Sequence, residues 1–549
     1  MLDIIAVDAK FGHLFTRFAD MVKVYSPGGR SGFLSAVLTA VLSLALSVSP
    51  LLPDGCFAQA QPPGTAKSAA GRDQGAARAA DAQTKGEKKD EQVAAEPLLD
   101  PSKTMKMAPV EIFQDPNAEA VMNLRRFNPL RYPVAPREVI GQVREMMSSP
   151  TAPVDQTTIR RYVLGMIAEL TDTRNIQALI DPPPNLPPTS PSMQAISTAT
   201  TNLLEPLFAA RSSKSIGFLN EYNSALLENL PQLLKHHLVP RVQAMIVLGQ
   251  SGNPNAYKLF VQEIQNPKQT VWVKLWAMRG ITNIVRFNST ARLTAVQTSE
   301  AAKVIAAYLD SHKELPWPVQ IRALEALAAL RQGFMPTSPK TAEMASTAMR
   351  ILADPKARPD VRAEAVHALG MMQITNAVPS YNFSLIAYAA AQLAAEIGDQ
   401  IVANYAVIKG AKEEKVEAIN ATKAEYLASL LVGPIYQAFE GQPGVRDSGF
   451  LHNPATTAIA ARSQVQDILD QIKPVSLASL ELVRSPTGQL KARRQDLVTR
   501  VAVLKEFLSK NAPSDHHLIP DDQGYLQAGG QAAAAPEAGN VVAGASGGK

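Results

Sequence analysis

Cysteine is almost absent from this 549-residue chain, and the single one is Cys56. It precedes Ala58-Gln59-Ala60, a small-x-small motif of the kind at which exported proteins are cut. With Ala60 as the last residue removed, the mature chain has no thiol. That excludes disulfides, covalent c-type haem, Cys-ligated zinc and Cys nucleophiles together, and leaves packing alone to hold the fold. Aromatic residues are 6% of the chain and charged residues 19%, so the helices must pack chiefly through Ala, Leu, Val and Ile, small enough for close axes. The net charge of +5 is a weak bias toward acidic partners and no nucleic-acid footprint. A Gly-rich phosphate loop, a His-Glu-x-x-His zinc motif and a Gly-x-Ser-x-Gly elbow are all missing. No catalytic, metal-binding or cofactor-binding residue is assigned.

The apolar run Phe33–Val48 is interrupted by Ser35, Thr39, Ser43 and Ser47, and it falls short of the ~20 residues that span a bilayer. Arg30 precedes it, and Pro50 and Pro53 follow. Basic, apolar, then small is the order of a secretory signal peptide, which is assigned to residues 1–60. Asp3, Asp8 and Asp20 are foreign to such a leader, so Met21, followed by Val-Lys-Val-Tyr, is the expected start. One alternative is an uncleaved signal anchor, the only membrane association expected. Another is lipidation of Cys56, against which Pro53-Asp54-Gly55 lacks the aliphatic residue needed three places earlier. Residues 61–95 and 513–549 hold few large apolar side chains and read as a disordered linker and a disordered tail.

Between them, four stretches repeat one helical pattern. They centre on Ala244, Ala277, Ala323 and Ala365, roughly 33 to 46 residues apart, the period of stacked helix pairs. Three residues before each centre stands a long polar side chain: Arg241, Lys274, Gln320 and Arg362. Four after it stands an aliphatic one: Leu248, Ile281, Leu327 and Leu369. Five after it comes a small or helix-ending residue: Gly249, Thr282, Ala328 and Gly370. The predicted pairs are Asn255–Ile264 with Thr270–Val285, Ser299–Leu309 with Val319–Leu330, and Thr341–Leu352 with Asp360–Met371. A fainter pair covers 138–149 and 156–170, with a missing unit near Leu203. Asp360 is placed to cap its helix or favour its positive end.

The run Asp360-Val361-Arg362, Ala365, Ala368-Leu369-Gly370 resembles the second helix of a HEAT repeat. Arg241, Ala244 and Leu248-Gly249, followed by Gly252-Asn253 and Ala256, resemble the same helix entering the next repeat. The likeness is strongest over 235–375, weaker over 138–234 and absent beyond about 385. It implies an armadillo-type α-solenoid, used for protein binding and without chemistry of its own. In that family Asp and Arg positions ladder between repeats. Here Val239, Trp272 and Pro318 stand where the Asp would, so stacking is expected to be mainly apolar.

The fold class is therefore all-α: HEAT-like hairpins over 96–379 and a helical cap or bundle over 380–512. In the cap, Phe383–Glu396, Asp399–Lys409 and Glu413–Phe439 read as helical, the last broken near Gly433-Pro434. Thr457–Ile472 and Leu490–Leu508 read as longer amphipathic helices, the second striped by Leu497, Val501, Leu504 and Leu508. Arg125-Arg126-Phe127, Arg131-Tyr132 and Arg137 interleave cations with aromatics, a pattern that stacks on nucleic acid. Pro129, Pro133 and Pro136 favour an extended segment draped on the fold instead. His236-His237 and His516-His517 are expected to be incidental rather than metal-binding. His367 is read as a packed or partly exposed histidine.

Second helices line the concave side of such arrays, and Trp and Arg dominate binding hot spots. Trp276, Arg279, Arg322 and Arg362 are therefore the expected partner face, with tryptophans that merely fill gaps between repeats as the other reading. The functional expectation is an exported, non-catalytic scaffold of the periplasm or cell envelope with an unidentified protein partner. The alternatives are a helical-repeat, lyase-like enzyme with its site in 380–512, and a membrane-anchored structural envelope protein.

Overall fold

Short polar side chains open several of the helices. Asp155 accepts the backbone N–H of Thr157 at 2.9 Å, and Asn382 that of Leu385 at 3.0 Å. Thr294 and Gln297 cap one another reciprocally. The computed structural model describes residues 115–525, apart from 288–292, 313, 379, 410–413, 458, 521 and 523. The signal region with Ala58 and Ala60, the 61–95 linker and residues 526–549 lie outside the described residues.

The described part is mostly helical, and all of it belongs to one compact unit. Its helices are α1 (Pro116–Ala120), α2 (Arg137–Ser148), α3 (Gln156–Thr171), α4 (Thr173–Ile180), α5 (Pro191–Ser213), α6 (Ile216–Asn229), α7 (Leu238–Ser251), α8 (Tyr257–Gln265) and α9 (Val271–Phe287). There follow α10 (Ala295–Ser311), α11 (Trp317–Leu330), α12 (Glu343–Ala353), α13 (Pro359–Met371) and α14 (Phe383–Ala403). Strands β1 (Tyr405–Lys409) and β2 (Glu414–Ala418) come next, then α15 (Ala421–Leu430), α16 (Tyr436–Glu440), α17 (Ile459–Arg484) and α18 (Leu490–Lys510).

Three packed pairs, α8 with α9, α10 with α11 and α12 with α13, follow one another. The second helices α7, α9, α11 and α13 each pack on the next, and the first helices α8, α10 and α12 do the same. Every residue of α7 is buried, as is α9 from Val271 to Ile284. A helix apolar nearly all round requires such surroundings. The small residues of the repeat set how closely the helices approach. A Cβ on Gly249 would lie 2.8 Å from the Trp276 carbonyl oxygen, and one on Gly370 would lie 2.4 Å from the Cα of Ala438. The missing unit near Leu203 is α5, in which Leu203 is fully buried although Pro206 lies inside the helix.

The last pair is covered by α14, which packs on both α12 and α13, and α14 in turn packs on α17 and α18. The predicted stripe Leu497, Val501, Leu504 and Leu508 is buried. Burial of each such side chain is worth about 1.5–3 kcal/mol.

Four expectations need correction. First, α14 runs unbroken to Ala403, and 405–409 is a strand rather than helix, paired antiparallel with 414–418. The run Tyr405-Ala406-Val407-Ile408 carries β-favouring residues, and Tyr405 and Val416, on one face of the hairpin, are buried. The all-α class therefore holds apart from one two-stranded sheet. Second, the break near Gly433-Pro434 is a π-helical turn, Leu431–Ile435, between α15 and α16. Third, the disordered tail does not begin at 513. Leu518, Ile519 and Tyr525 are buried, and the Asn382 N–H donates to the Leu518 carbonyl at 2.9 Å. Fourth, of the two roles expected of Asp360, it is not the cap of α13, a position held by Arg358, but it does stand in the first turn, where a carboxylate favours the positive helix end. It is buried in the first turn, where it accepts from Arg358 Nη2 at 2.8 Å and from the Tyr426 hydroxyl at 3.0 Å.

Candidate functional site

Within the repeat, three of the four polar residues that stand three before a centre bond to a backbone carbonyl ahead of their own helix. Arg241 donates to the His236 carbonyl from Nε (3.1 Å) and Nη2 (2.9 Å). Gln320 Nε2 donates to the Leu315 carbonyl at 2.7 Å, and Arg362 Nε to the Leu352 carbonyl at 3.0 Å. Lys274 instead lies 4.8 Å from the centre of the Tyr308 ring. These groups are engaged in holding the hairpins.

A different polar row occupies positions one before and two after the centres of α11 and α13, and two after the centre of α9. Three residues apart on a helix, these positions share a face. On α11 they hold Arg322 and Glu325; on α13 they hold Glu364 and His367; on α9 the second of them holds Arg279. Arg322 Nη1 lies 2.6 Å from Glu325 Oε2, and Arg279 Nη1 reaches the same oxygen from the neighbouring helix at 3.4 Å. His367 Nδ1 lies 2.8 Å from Glu364 Oε1. One row of charge thus crosses three successive second helices. It is mostly but not wholly covered: Arg322 is 24% exposed and His367 15%.

Burial works against the charge on Glu325, but Arg322, Arg279 and more distantly Arg286 outweigh it and hold its pKa below the ordinary carboxylate value. Burial likewise opposes protonation of His367, and here Glu364 and then Glu325 prevail and raise its pKa, with Arg286 pulling the other way. Arg279 is pushed down to about 10, by burial first and then by Arg322. Among the described residues, no hydroxyl is hydrogen-bonded to His367. The arrangement presents charge; it does not assemble a nucleophile with a base.

Of the four expected partner-face residues, Trp276, Arg279 and Arg362 are buried. Trp276 approaches Gly249 through its backbone carbonyl, and Arg362 leaves the row, its Nη1 pairing with Glu396 on α14 at 2.5 Å. Arg322 alone of the four keeps appreciable access. Sequence reasoning missed Glu325 and Glu364 and gave His367 no role. Their signal was two opposite-charge or acid–imidazole pairs three residues apart at equivalent repeat positions.

His236 and His237 form the turn before α7. His237 Nδ1 accepts the Val239 N–H, its Nε2 lies 3.1 Å from the Met122 carbonyl oxygen, and His236 Nε2 lies 2.9 Å from that of Asn128. Both rings pack against Phe127. They pin the segment 115–136, which drapes over the helix starts as its prolines suggested. His517 is likewise structural, its Nδ1 2.9 Å from Asp522 Oδ1. No cluster of His, Cys, Asp and Glu among the described residues can hold a metal ion, and no described helix is long and apolar enough to cross a membrane.

The C-terminal bundle carries a cleft of about 780 Å³ between α14, α17, α18 and the segment after it. Asp467, Asp470, Gln471, Asn511 and Asp515 are among its lining residues. Two of its hydroxyls are committed elsewhere, Ser384 to Gln464 Oε1 at 2.6 Å and Tyr388 to the Leu508 carbonyl at 3.1 Å.

Comparison with protein-family models, with curated proteins and with solved structures finds no match.

Proposed function

We propose that the chain is an exported, non-catalytic scaffold that binds a protein partner along a HEAT-like α-solenoid. The observation that carries this reading is the succession of second helices α7, α9, α11 and α13, each packed on the next. Such an array offers one extended surface, and its charge row spans three repeats. The leader-like run Phe33–Val48 with Ala58-Gln59-Ala60 supports export to the periplasm or cell envelope. The test is affinity capture from an envelope extract with wild type and with an Arg322→Glu, Glu325→Lys variant. A partner retained by wild type and lost by the variant supports the reading; equal capture, or none, defeats it. Recovery of the chain solely in the membrane pool would instead favour a structural protein anchored by its N-terminal segment.

The cleft in the C-terminal bundle favours a second reading, a helical-repeat enzyme of the lyase-like kind, because ligand sites are concave and combine a few polar groups. Saturable turnover of a small substrate, abolished by Asp467→Asn with Asp470→Asn, would establish it over the first.

A further inference from the structure

We infer that the outer side of the draped segment 121–137 is a docking surface for a bilayer rich in acidic phospholipid, engaged through Arg125, Arg126, Arg131 and Arg137 with Lys235 beside them. This surface is separate from the α9–α11–α13 row, and neither needs the other.

The segment has an inner and an outer side. Phe127 packs its ring on His236 and His237, and the Asn128 carbonyl oxygen lies 2.9 Å from His236 Nε2. The Leu130 N–H donates to Thr171 Oγ1 at 3.0 Å, and the Tyr132 hydroxyl to Gln232 Oε1 at 3.2 Å. Ala135 is buried against α3, so close that a Cβ on Gly165 would lie 2.5 Å from the Ala135 nitrogen. These contacts fix the inner side from 127 to 135. Left outward are Arg125, Arg126, Arg131 and Arg137, all exposed, and Val134, which is 63% exposed. Lys235, also exposed, ends the turn that carries Gln232 and adjoins His236.

Residues 121–137 contain four arginines and no Asp or Glu. Among the described residues, none of the four, nor Lys235, has a carboxylate within 4.0 Å. Of the acids around them, Asp172 is taken by Arg174 at 2.7 Å, and Glu169 accepts from Asn175 Nδ2 at 3.0 Å. Glu119 and Glu138 stand at the two ends. Five cations thus face two uncommitted carboxylates, and the surplus is positive and open to solvent. Clusters of four or more Lys and Arg bind acidic lipid surfaces, each cation adding to the affinity. Nucleic acid is the other polyanion to weigh, and it would need free rings for its bases. Here Phe127 is stacked against two histidines and Tyr132 is tied to Gln232. The rings serve the inner side, and the cations alone face outward. Val134, apolar and exposed between Arg131 and Arg137, suits the boundary between headgroups and acyl chains. From Arg125 to Arg137 an extended chain reaches up to ~40 Å, enough to meet several headgroups along a line already held in place.

The experiment is sedimentation of the full chain with vesicles of phosphatidylglycerol and phosphatidylcholine in equal parts, against vesicles of phosphatidylcholine alone. The test variant combines Arg125→Gln, Arg131→Gln and Arg137→Gln, and a second variant carries Arg→Lys at the same three positions. Arg493→Gln, Arg500→Gln and Lys510→Gln together remove the same charge from α18 and serve as the control. Wild type should bind the mixed vesicles, ignore pure phosphatidylcholine and release as salt rises. The Gln variant should partition roughly a hundredfold less, while the Lys variant and the control bind like wild type. Wild type that ignores the mixed vesicles, or binds both kinds equally, overturns the inference. So does an equal loss in the control, which would show a mere effect of net charge, or in the Lys variant, which would show a structural role. Tighter binding of oligothymidylate than of vesicles, lost in the Gln variant, would make the surface a nucleic-acid site instead. Vesicle binding is read without a protein partner, and partner capture without these substitutions, so the bilayer surface and the scaffold reading fail separately.

Discussion

Gly370 and Gly141 are both helical glycines, yet opposite outcomes follow from replacing them by alanine. At Gly370 a Cβ would meet Ala438 Cα and O at 2.4 Å, backbone atoms that cannot rotate away. Gly370→Ala should cost about 1–3 kcal/mol or more, because overpacking forces α13 and α16 apart. At Gly141 nothing lies within 4 Å, and Gly141→Ala should stabilise by roughly 0.5–1 kcal/mol through helix propensity. Urea unfolding of the two variants beside wild type checks both signs, and a Gly370→Ala chain as stable as wild type would mean that α13 and α16 do not touch there. A second residue-scale prediction concerns His237. Burial, chiefly, lowers its pKa from 6.5 to about 4, and a proton on Nδ1 would confront the Val239 N–H, donor against donor. The unfolded chain takes that proton more readily than the folded one. Stability should therefore fall as pH drops from 6.5 to about 4, by on the order of 3 kcal/mol. His237→Asn keeps an acceptor for Val239 and has nothing to titrate, so its unfolding midpoint should lose that slope. His367 has the opposite sign: its raised pKa makes its contribution full below 6.5 and lost as pH climbs through the folded value.

At the scale of elements, the segment 115–136 acts as a strap. Asp115 Oδ2 accepts the Val271 N–H at 2.9 Å at the start of α9, and Asn117 Nδ2 donates to the Pro267 carbonyl at 2.9 Å. Further along, the Leu238 N–H donates to the Val121 carbonyl at 3.1 Å, and Leu130 N–H to Thr171 Oγ1 at 3.0 Å. Asp115→Ala orphans a buried helix-start donor and should cost about 0.5–2 kcal/mol. Faster hydrogen exchange at Val271 and its neighbours is the measurement, and unchanged exchange there would show that the strap does not hold α9. This contact also marks the limit of what sequence discloses. The hairpins from α8 to α13 were legible because each carries its own periodicity, and their predicted ends fall within a few residues of the observed ones. Their partners were not. Asp115 lies 156 residues from Val271, and no local pattern announces which donor a loop aspartate will meet. The β1–β2 hairpin was missed for a related reason: Ala-rich sequence on both sides of Tyr405–Ile408 supports a helix until pairing with 414–418 overrides it. In the charge row, Arg279 and Arg322 were recognisable as residue types suited to binding. Glu325, Glu364 and His367 take their meaning only from adjacency across repeats.

At the scale of the whole molecule, the segment after α18 joins the bundle to the hairpins. Asn382 Nδ2 donates to the Asp515 and His517 carbonyls at 3.3 and 3.2 Å, fixing the segment at the start of α14. Asp522 then closes it into a tight turn by accepting the Leu518, Ile519 and Gly524 N–H groups at 2.7, 3.1 and 2.8 Å. The turn presents Leu518, Ile519 and Tyr525 inward, and Tyr525 lies beside Ser346 on α12. Burial of these three side chains contributes several kcal/mol at ~1.5–3 each, much of it offset by the ordering entropy of an otherwise polar segment. A chain ending at 512 should therefore lose about 1–3 kcal/mol. That loss should appear as faster exchange at α12 and the start of α14, two elements that the truncation does not remove. Leu518→Ala in the full chain isolates packing from chain length and should cost about 2–5 kcal/mol, since Leu518 is fully buried. Wild-type midpoints for both the 512 chain and Leu518→Ala would mean that the hairpins and the bundle are held together without this segment. A loss confined to the bundle, with α12 exchange unchanged, would place the segment on one side of the junction rather than across it.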